Sequence, residues 1–341
     1  MLQVCNRTPF AAMLGVFPDP AGVECVYAAI KATFDLHEGA PRLAVKPARF
    51  LAADVFWGDP AKTSLRAAAD VTLIKPCTDV VLAARAVAAR PVGEMDVCLA
   101  VGPVRRTVRV FGPRRWARGE GGWCITEPEP FERMPLRWEY AFGGVGRIEE
   151  GRPPEHEARN PVGAGFHASY EEDFQDRPLP NIEDPEQLIC QPLDRPPPAG
   201  FAPVAPTWMP RRAYAGTYDA QWQKSRAPFL PADFDARYFN TAATGLAAPG
   251  YLVGGESVTL SGCSAGGPLR FDLPRASVEL EWDFDGRHIE AAAKLDTVLI
   301  EPDFARLQMV WRACLAVDKR VLRMRQLTVS CPEFVLENEV A

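Results

Sequence analysis

Strict alternation of apolar and polar residues is clearest in the C-terminal third of the chain. Over residues 277–284, SVELEWDF, every second side chain is apolar, as a pleated strand with one solvated face requires. The pair Asp285 and Gly286 is a turn signal, so residues 287–293 are predicted to return as the second strand of a hairpin.

A second period of two runs through residues 307–315, where Gln308 and Arg312 lie opposite the apolar positions. The apolar positions of this predicted strand are Leu307, Met309, Trp311, Ala313 and Leu315. These patterns favour a predominantly antiparallel β protein.

The N-terminal part adds further extended runs. Residues 25–30 are continuously apolar, and residues 97–101 are followed by Gly-Pro and then by residues 107–111, which predicts a hairpin. Residues 79–90 are rich in alanine, and their propensity predicts a helix instead.

Proline sets the middle of the chain apart. There are 33 prolines, and 15 of them fall between Pro153 and Pro231, where their missing N–H groups disfavour helices and central strands. We therefore predict a mainly β fold with antiparallel sheets, sandwich or barrel-like, few helices and a Pro/Gly-rich loop layer. The chain is read as a single domain of residues 1–341, with a β region at 1–134, the loop region at 135–235 and a second β region at 236–341.

Composition narrows the function class. The 341 residues are 47% apolar and 24% charged, with a net charge of −6, which is enough for a core and unlike a nucleic-acid-binding chain. No apolar stretch reaches the roughly 20 residues of a membrane helix, and no secretory leader is recognisable, so a cytoplasmic location is expected. Nine cysteines, an odd number without CxxC spacing, predict reduced and mostly buried thiols.

Charge is uneven along the chain. Residues 104–118 carry six arginines and no acid, whereas residues 149–198 carry twelve acids and four arginines. In one interpretation, the two segments are solvated faces or pair with each other. In the other, one of them is a docking surface for a partner of opposite charge.

No enzymatic motif is present, neither a phosphate-binding loop nor a nucleophile elbow. His156 and His167 lie near four glutamates, Glu155, Glu157, Glu171 and Glu172, but their spacing matches no known ligand pattern. We therefore expect no catalytic residue, no metal and no cofactor. The alternative is an enzyme acting on a carbohydrate or cell-wall substrate through carboxylates of the acidic middle segment.

Unusual blocks of glycine, proline and aromatic residues are the strongest signal in the middle region. They suit rigid loops, and their Trp, Tyr, Phe and Arg side chains are also typical of protein interfaces. Two readings stay open: the residues lock loops and core, or some of them touch a partner. The candidates for partner binding are Phe142, Gly143, Gly144, Asn160, Phe166, Asn181, Trp208, Arg211, Tyr218, Asp219, Trp222, Asp233 and Phe234.

These blocks, in their order, resemble the bacterial type VI secretion effector adaptors, first catalogued as a domain of unknown function (number twenty-one sixty-nine). The resemblance extends over nearly the whole chain. It is carried by the motifs KATF at 31–34, KPCTDVV at 75–81, FGG at 142–144, NPVGAGF at 160–166, LPNIE at 179–183, GTYD at 216–219 with Trp222, LPADFD at 230–235 and GGE at 254–256.

The resemblance implies a non-enzymatic, cytosolic adaptor or chaperone. Members bind an effector toxin of the PAAR or Rhs type, commonly through its N-terminal region or PAAR domain, and help to load it onto the valine-glycine repeat spike protein. No nucleic acid, membrane or small-molecule substrate is expected. On this hypothesis the partner docks on an open strand edge or in a groove of the 135–235 loop layer, with Phe142, Trp208, Tyr218 and Trp222 as anchors. A structural component of the secretion spike or baseplate is the other non-enzymatic alternative.

Overall fold

The computed structural model describes residues 3–37, 40–146, 153–169 and 173–334. The described chain is mainly β, as predicted. In the N-terminal region the strands are β1 (Gln3–Asn6), β2 (Ala11–Pro18), β3 (Glu24–His37), β4 (Ala40–Leu43), β5 (Val55–Phe56), β6 (Leu65–Ala67), β7 (Asp79–Leu82), β8 (Arg85–Val92), β9 (Glu94–Val101), β10 (Val104–Phe111), β11 (Trp116–Gly119), β12 (Gly122–Ile125) and β13 (Phe131–Pro135).

In the described residues of the proline-rich middle region there are three short strands, and seven follow in the C-terminal region. They are β14 (Phe142–Gly143), β15 (Ala164–Gly165), β16 (Ile182–Glu183), β17 (Ser257–Ser261), β18 (Leu269–Asp272), β19 (Glu279–Phe284), β20 (Arg287–Ala292), β21 (Lys294–Glu301), β22 (Arg306–Ala316) and β23 (Met324–Ser330). Among the residues described, one α-helix is present, α1 (Ala220–Ser225). Short 3₁₀ helices lie at Trp138–Tyr140, Arg211–Ala215, Ala236–Phe239, Pro302–Phe304 and Val321–Arg323.

Three larger sheets build the body of the molecule. The six-stranded sheet has the order β2-β3-β22-β21-β7, with β4 also paired to β3, and it is antiparallel except for the β21–β7 pair. The five-stranded sheet has the order β16-β10-β9-β17-β18 and is antiparallel throughout. The four-stranded sheet has the order β1-β23-β19-β20, in which β1 runs parallel to β23.

All three sheets contribute to one hydrophobic core. Strand β3 supplies Ile30 and Phe34, β9 supplies Leu99, and β19 supplies Trp282, each with at most 1% of its surface exposed. Because burying a large apolar side chain stabilises a fold by roughly 1.5–3 kcal/mol, this shared cluster is the main force joining the sheets.

The alternating patterns predicted the strands correctly. Strands β19 and β20 form the expected hairpin, with Phe284 opposite Arg287 across the Asp285-Gly286 turn. Strands β9 and β10 form the other expected hairpin. Strand β22 contains the predicted period of two, although the face that carries Gln308 and Arg312 is buried rather than solvated.

The predicted helix at residues 79–90 is wrong. The segment divides into β7, which pairs with β21, and β8, which pairs with β13. Val80 and Leu82 are fully buried in the core, and Ala83 donates its N–H to the carbonyl of Ile300 at 3.0 Å. Pairing with strands distant in sequence therefore outweighs the helix propensity of the alanines.

The arginine-rich and acidic segments meet in the structure, because β10 pairs with β16. Arg106 pairs with Asp184 at 3.2 Å, and Arg114 forms a buried ion pair with Glu183. Burial lowers the pKa of Arg114 and raises that of Glu183, even though the two charges oppose these shifts. For these residues the pairing alternative is correct.

All nine cysteines are free thiols. Cys25, Cys263 and Cys331 are buried, but Cys124 and Cys190 are exposed, so burial is not general. Within the ranges described, no helix has the length and apolar character needed to cross a membrane.

Candidate functional site

The two glycine-rich motifs of the middle region form one interlocked loop pair. Strands β14 and β15 run parallel, with Phe142 opposite Ala164. The buried side chain of Asn160 donates through Nδ2 to the carbonyl of Trp138 at 2.7 Å and to that of Phe142 at 3.0 Å. The backbone N–H of Gly144 in turn donates to the Asn160 carbonyl at 2.8 Å. We call this arrangement the Asn160 lock.

Gly143 is required by this close approach. It has a φ of 151°, and a Cβ atom there would lie 2.1 Å from the Asn160 carbonyl oxygen. Phe142 is buried in a small second core with Trp116 and Phe174. These contacts favour the loop-locking interpretation, in which the side chains and glycines hold the loop layer in place from its interior. It applies to Phe142, Gly143, Gly144 and Asn160.

Trp208 and Arg211 are buried as well. Trp208 packs edge-on against Trp138, with ring centroids 6.4 Å apart. Arg211 donates to the carbonyls of Tyr238 at 2.7 Å and Val204 at 2.9 Å, and burial lowers its pKa. Both side chains hold the loop layer together and are not displayed to a partner.

Asn181 and Phe166 are half-buried. The side chain of Asn181 donates to the carbonyl of Phe111 at 3.1 Å, which ties the acidic segment to the end of β10. The guanidinium of Arg195 stacks over the Phe166 ring, 4.2 Å from its centroid. Both residues close the loop layer at its edges.

Residues 216–235 form a largely exposed segment that we call the aromatic lobe. At its base, Asp233 accepts from the N–H of Thr217 at 2.9 Å and from the Thr217 hydroxyl at 2.7 Å, and these bonds lower the pKa of Asp233. Gly216, with a φ of 79°, leaves no room for a side chain beside Pro231. Asp219 caps α1 by accepting from the N–H of Trp222 at 2.8 Å.

The aromatic lobe presents exposed rings. Tyr218 is 54% exposed and packs edge-on against the half-buried Trp222, whose indole Nε1 donates to the Phe229 carbonyl at 2.8 Å. The Phe229 ring is 39% exposed. Phe234 is half-buried and packs against Tyr238 and Phe239.

The aromatic lobe contacts the turn between β2 and β3. The Phe229 ring lies over Gly22, and Arg226 donates to the carbonyl of Pro20. The strand that enters this turn, β2, has the sequence AAMLGVFP and carries no charged residue. Val16 and Phe17, at its end beside the turn, are 42% and 38% exposed.

The outer edge of β2 is open. Within the part of the chain that the structure describes, β2 pairs with β3 alone, so half of its backbone N–H and C=O groups point away from the sheet without a strand beside them. We call this edge, together with Val16, Phe17, Tyr218 and Phe229, the candidate docking surface. The segments of the lobe stand out in the sequence by their Gly/Pro/aromatic composition, whereas β2 was not among the candidates, although its run of eight uncharged residues is a usable signal.

The histidines do not assemble a metal site with the carboxylates that are described. His156 is exposed, His167 is buried against Phe174, and Glu157 pairs with Arg159 at 2.6 Å. The arginine lowers the pKa of Glu157 against the opposing effect of burial. Glu171 and Glu172 lie outside the described residues, and among those described no three potential metal ligands come together.

A family model described as uncharacterized proteins conserved in bacteria, DUF2169, matches residues 21–312. The chain belongs to this family. No curated protein and no solved structure matches the chain. The DUF2169 match begins in the turn between β2 and β3, so it contains the Asn160 lock and the aromatic lobe but not β2 itself.

Proposed function

We propose that this DUF2169 protein is a cytoplasmic, non-enzymatic adaptor of the type VI secretion system. On this proposal it binds the N-terminal region or PAAR domain of an effector toxin and promotes the loading of that effector onto the valine-glycine repeat spike protein. The observation that carries the proposal is the open, uncharged edge of β2 beside the exposed rings of the aromatic lobe.

The edge of β2 suits an extended polypeptide. An exposed edge presents a row of unpaired backbone donors and acceptors, and natural proteins normally protect such an edge with charges, proline or a covering segment. Strand β2 has no charge, and its only proline, Pro18, is its last residue. A partner strand added there would extend the six-stranded sheet and gain main-chain hydrogen bonds along its length.

The aromatic lobe supplies side-chain contacts next to that edge. Tyr218 and Phe229 are the rings that a partner would cover, and large aromatic side chains commonly dominate the energy of protein interfaces. The hydrogen bonds of Thr217, Asp219 and Trp222 hold the lobe in one conformation, which lowers the entropy cost of binding. Strand addition supplies affinity, and the rings supply selectivity.

The first test is co-purification of the tagged, full-length chain from its own bacterium, with mass spectrometry of the associated proteins. The proposal expects a large PAAR- or Rhs-type effector, accompanied by the spike protein. Recovery of the adaptor as a clean monomer while the secretion genes are expressed would contradict it.

A matched pair of variants tests the docking surface itself. Val16→Lys places a charge beside the β2 edge, whereas Val253→Lys makes the same change at a 77% exposed position next to the five-stranded sheet. We expect Val16→Lys to reduce effector recovery by about tenfold, a loss of about 1.4 kcal/mol, and Val253→Lys to leave it unchanged. Equal recovery with both variants, each with an unchanged melting temperature, would rule out the β2 edge.

A further inference from the structure

The polar face of the six-stranded sheet forms the floor of a cavity. The strand register places Lys31 of β3 beside Val310 of β22, and Thr33 beside Gln308. Because side chains on opposed positions of paired strands project to the same side, these polar groups share one face, and the apolar residues of the core occupy the other. This arrangement puts ionisable side chains inside the protein.

The segment of residues 44–75 forms the roof. The ammonium group of Lys31 donates to the Arg49 carbonyl at 3.2 Å and to Asp70 Oδ2 at 2.8 Å, and the Thr33 hydroxyl accepts from the N–H of Ala48 at 2.9 Å. Between roof and floor lies a cavity of about 340 Å³. Its lining includes Lys31, Arg66, Thr297, Glu301, Gln308 and Arg312.

Positive charge is in excess around this cavity. Six cationic side chains line it, namely Lys31, Arg49, Arg66, Lys75, Arg306 and Arg312. Four of them have carboxylate partners at 2.6–2.8 Å, which are Asp70 for Lys31, Asp79 for Lys75, Glu301 for Arg306 and Asp296 for Arg312. Arg49 and Arg66, which are exposed at the rim, have no carboxylate partner in the described part of the chain. The cavity therefore has two cationic side chains that are not paired with a carboxylate of the described residues.

Arg312 is the group on the floor that is placed to bind a ligand. Its side chain is 3% exposed, and its Nε donates to Asp296 Oδ2 at 2.6 Å. That is the only hydrogen bond of its side chain within the described residues, so the two terminal nitrogens of the guanidinium are not used by the protein, and Arg312 lines the cavity. A planar guanidinium with free N–H groups is well matched to a carboxylate or a phosphate.

Stability does not explain why these charges are buried. Replacing a buried ion pair with apolar residues of similar volume is often neutral or stabilising, because removing charges from water is costly. The same sheet carries a fully apolar face on its other side, so its strands accommodate such residues. A cavity of this size, in which cationic groups converge among apolar side chains, is typical of a site for a small ligand.

The geometry points to a binding site for a small oxyanion with two negative charges, of the phosphate or dicarboxylate type, between the roof segment and the polar sheet face. Arg312 would hold the anion from the floor, while Arg49 and Arg66 would neutralise it from the rim. This inference is independent of the proposed adaptor function, because the cavity lies inside the fold and requires no partner protein.

Calorimetric titration of the full-length protein with sodium phosphate and, separately, with sodium malonate at pH 7.5 tests the site, with ionic strength held constant by sodium chloride. The rim variant Arg49→Gln/Arg66→Gln removes two charges from the cavity. The control Arg90→Gln/Arg105→Gln removes two exposed arginines elsewhere and so matches the net charge. The two anions distinguish a phosphate site from a carboxylate site.

We expect binding of one anion per chain, with the rim variant lowering the association constant by about tenfold or more and the control changing it by less than about twofold. Arg312→Lys keeps the pair with Asp296 but loses the free N–H groups, so it should weaken binding as well. If that variant fails to fold, the rim pair decides the question. Heats equal to those of sodium chloride, or equal losses in the rim and control variants, would overturn the proposal.

Discussion

Substitution of Asn160 tests the lock that shapes the loop layer. In Asn160→Ala, two hydrogen bonds disappear, each with a net contribution of about 1 kcal/mol. The carbonyl of Trp138 still accepts from the N–H of Ala141, so its lost bond costs only about 1 kcal/mol. The buried Phe142 residue loses the Asn160 amide from its carbonyl, and that loss costs about 1–3 kcal/mol in place of the net value. We therefore expect a destabilisation of about 2–4 kcal/mol, which places this substitution among the damaging ones.

Asn160→Asp is nearly the same size and should be worse than Asn160→Ala at neutral pH. One carboxylate oxygen would face the carbonyl oxygens of Trp138 and Phe142, and the other would take the place of Asn160 Oδ1, which is buried without a hydrogen-bond donor. A buried carboxylate without donors has its pKa raised above the unfolded value of about 3.9. The penalty is therefore small at low pH and grows as the pH rises from the unfolded pKa towards the folded pKa.

Urea unfolding followed by tryptophan fluorescence measures both effects, provided that the slope of the transition is the same in all three proteins. The stability gap between Asn160→Asp and Asn160→Ala should be wide at pH 7.5 and narrower at pH 5. An alanine variant within about 0.5 kcal/mol of the parent protein would refute the reasoning. So would an aspartate variant whose penalty does not change with pH.

Two further predictions concern carboxylates with different surroundings. Asp79→Ala leaves the buried ammonium of Lys75 without its partner at 2.8 Å, so calorimetry should show a loss of about 3–5 kcal/mol. The matched change Asp96→Ala at the exposed ion pair with Arg109 should cost less than about 1 kcal/mol. At Glu333, hydrogen bonds from Ser277 outweigh the effect of burial and lower the pKa to about 2. Their contribution to the stability of the fold is therefore present above about pH 4.5 and is lost as the pH falls towards 2. Melting temperatures measured between pH 2 and 7 should converge for the parent protein and Glu333→Gln at the acid end, and a constant difference across this range would contradict the assignment.

Local alternation predicted the strands that depend on local pattern. The sequence of β19 alternates without interruption, and its partner β20 follows after a two-residue turn, so neighbouring residues hold enough information. The segment at 79–90 failed for the opposite reason. Its strand β7 forms by pairing with β21, with Asp79 opposite Thr297. This partner lies more than 200 residues away, so the sequence of the segment alone does not indicate the pairing.

The candidate site was only partly predictable for a related reason. Phe142, Trp208 and Tyr218 belong to similar Gly/Pro/aromatic blocks, yet the first two are buried and the third is exposed. Composition does not say which side of a loop faces the core. The openness of β2 depends on the order of strands around β3, and the cavity depends on the roof segment closing over Lys31, so neither follows from a window of sequence.

The alternation of side chains gives the six-stranded sheet one face in the hydrophobic core and one face in the cavity. Ile30 points into the shared core, while Lys31, the next residue of β3, lines the cavity. Because successive residues of a strand face opposite sides, a change at Ile30 acts mainly on stability and a change at Lys31 acts on the cavity. At the edge of the same sheet, β2 pairs only with β3 within the described residues, and this is the edge that we propose for a partner. One sheet therefore offers three surfaces with different chemistry, and variants one residue apart on β3 should give different results in unfolding and anion-binding measurements.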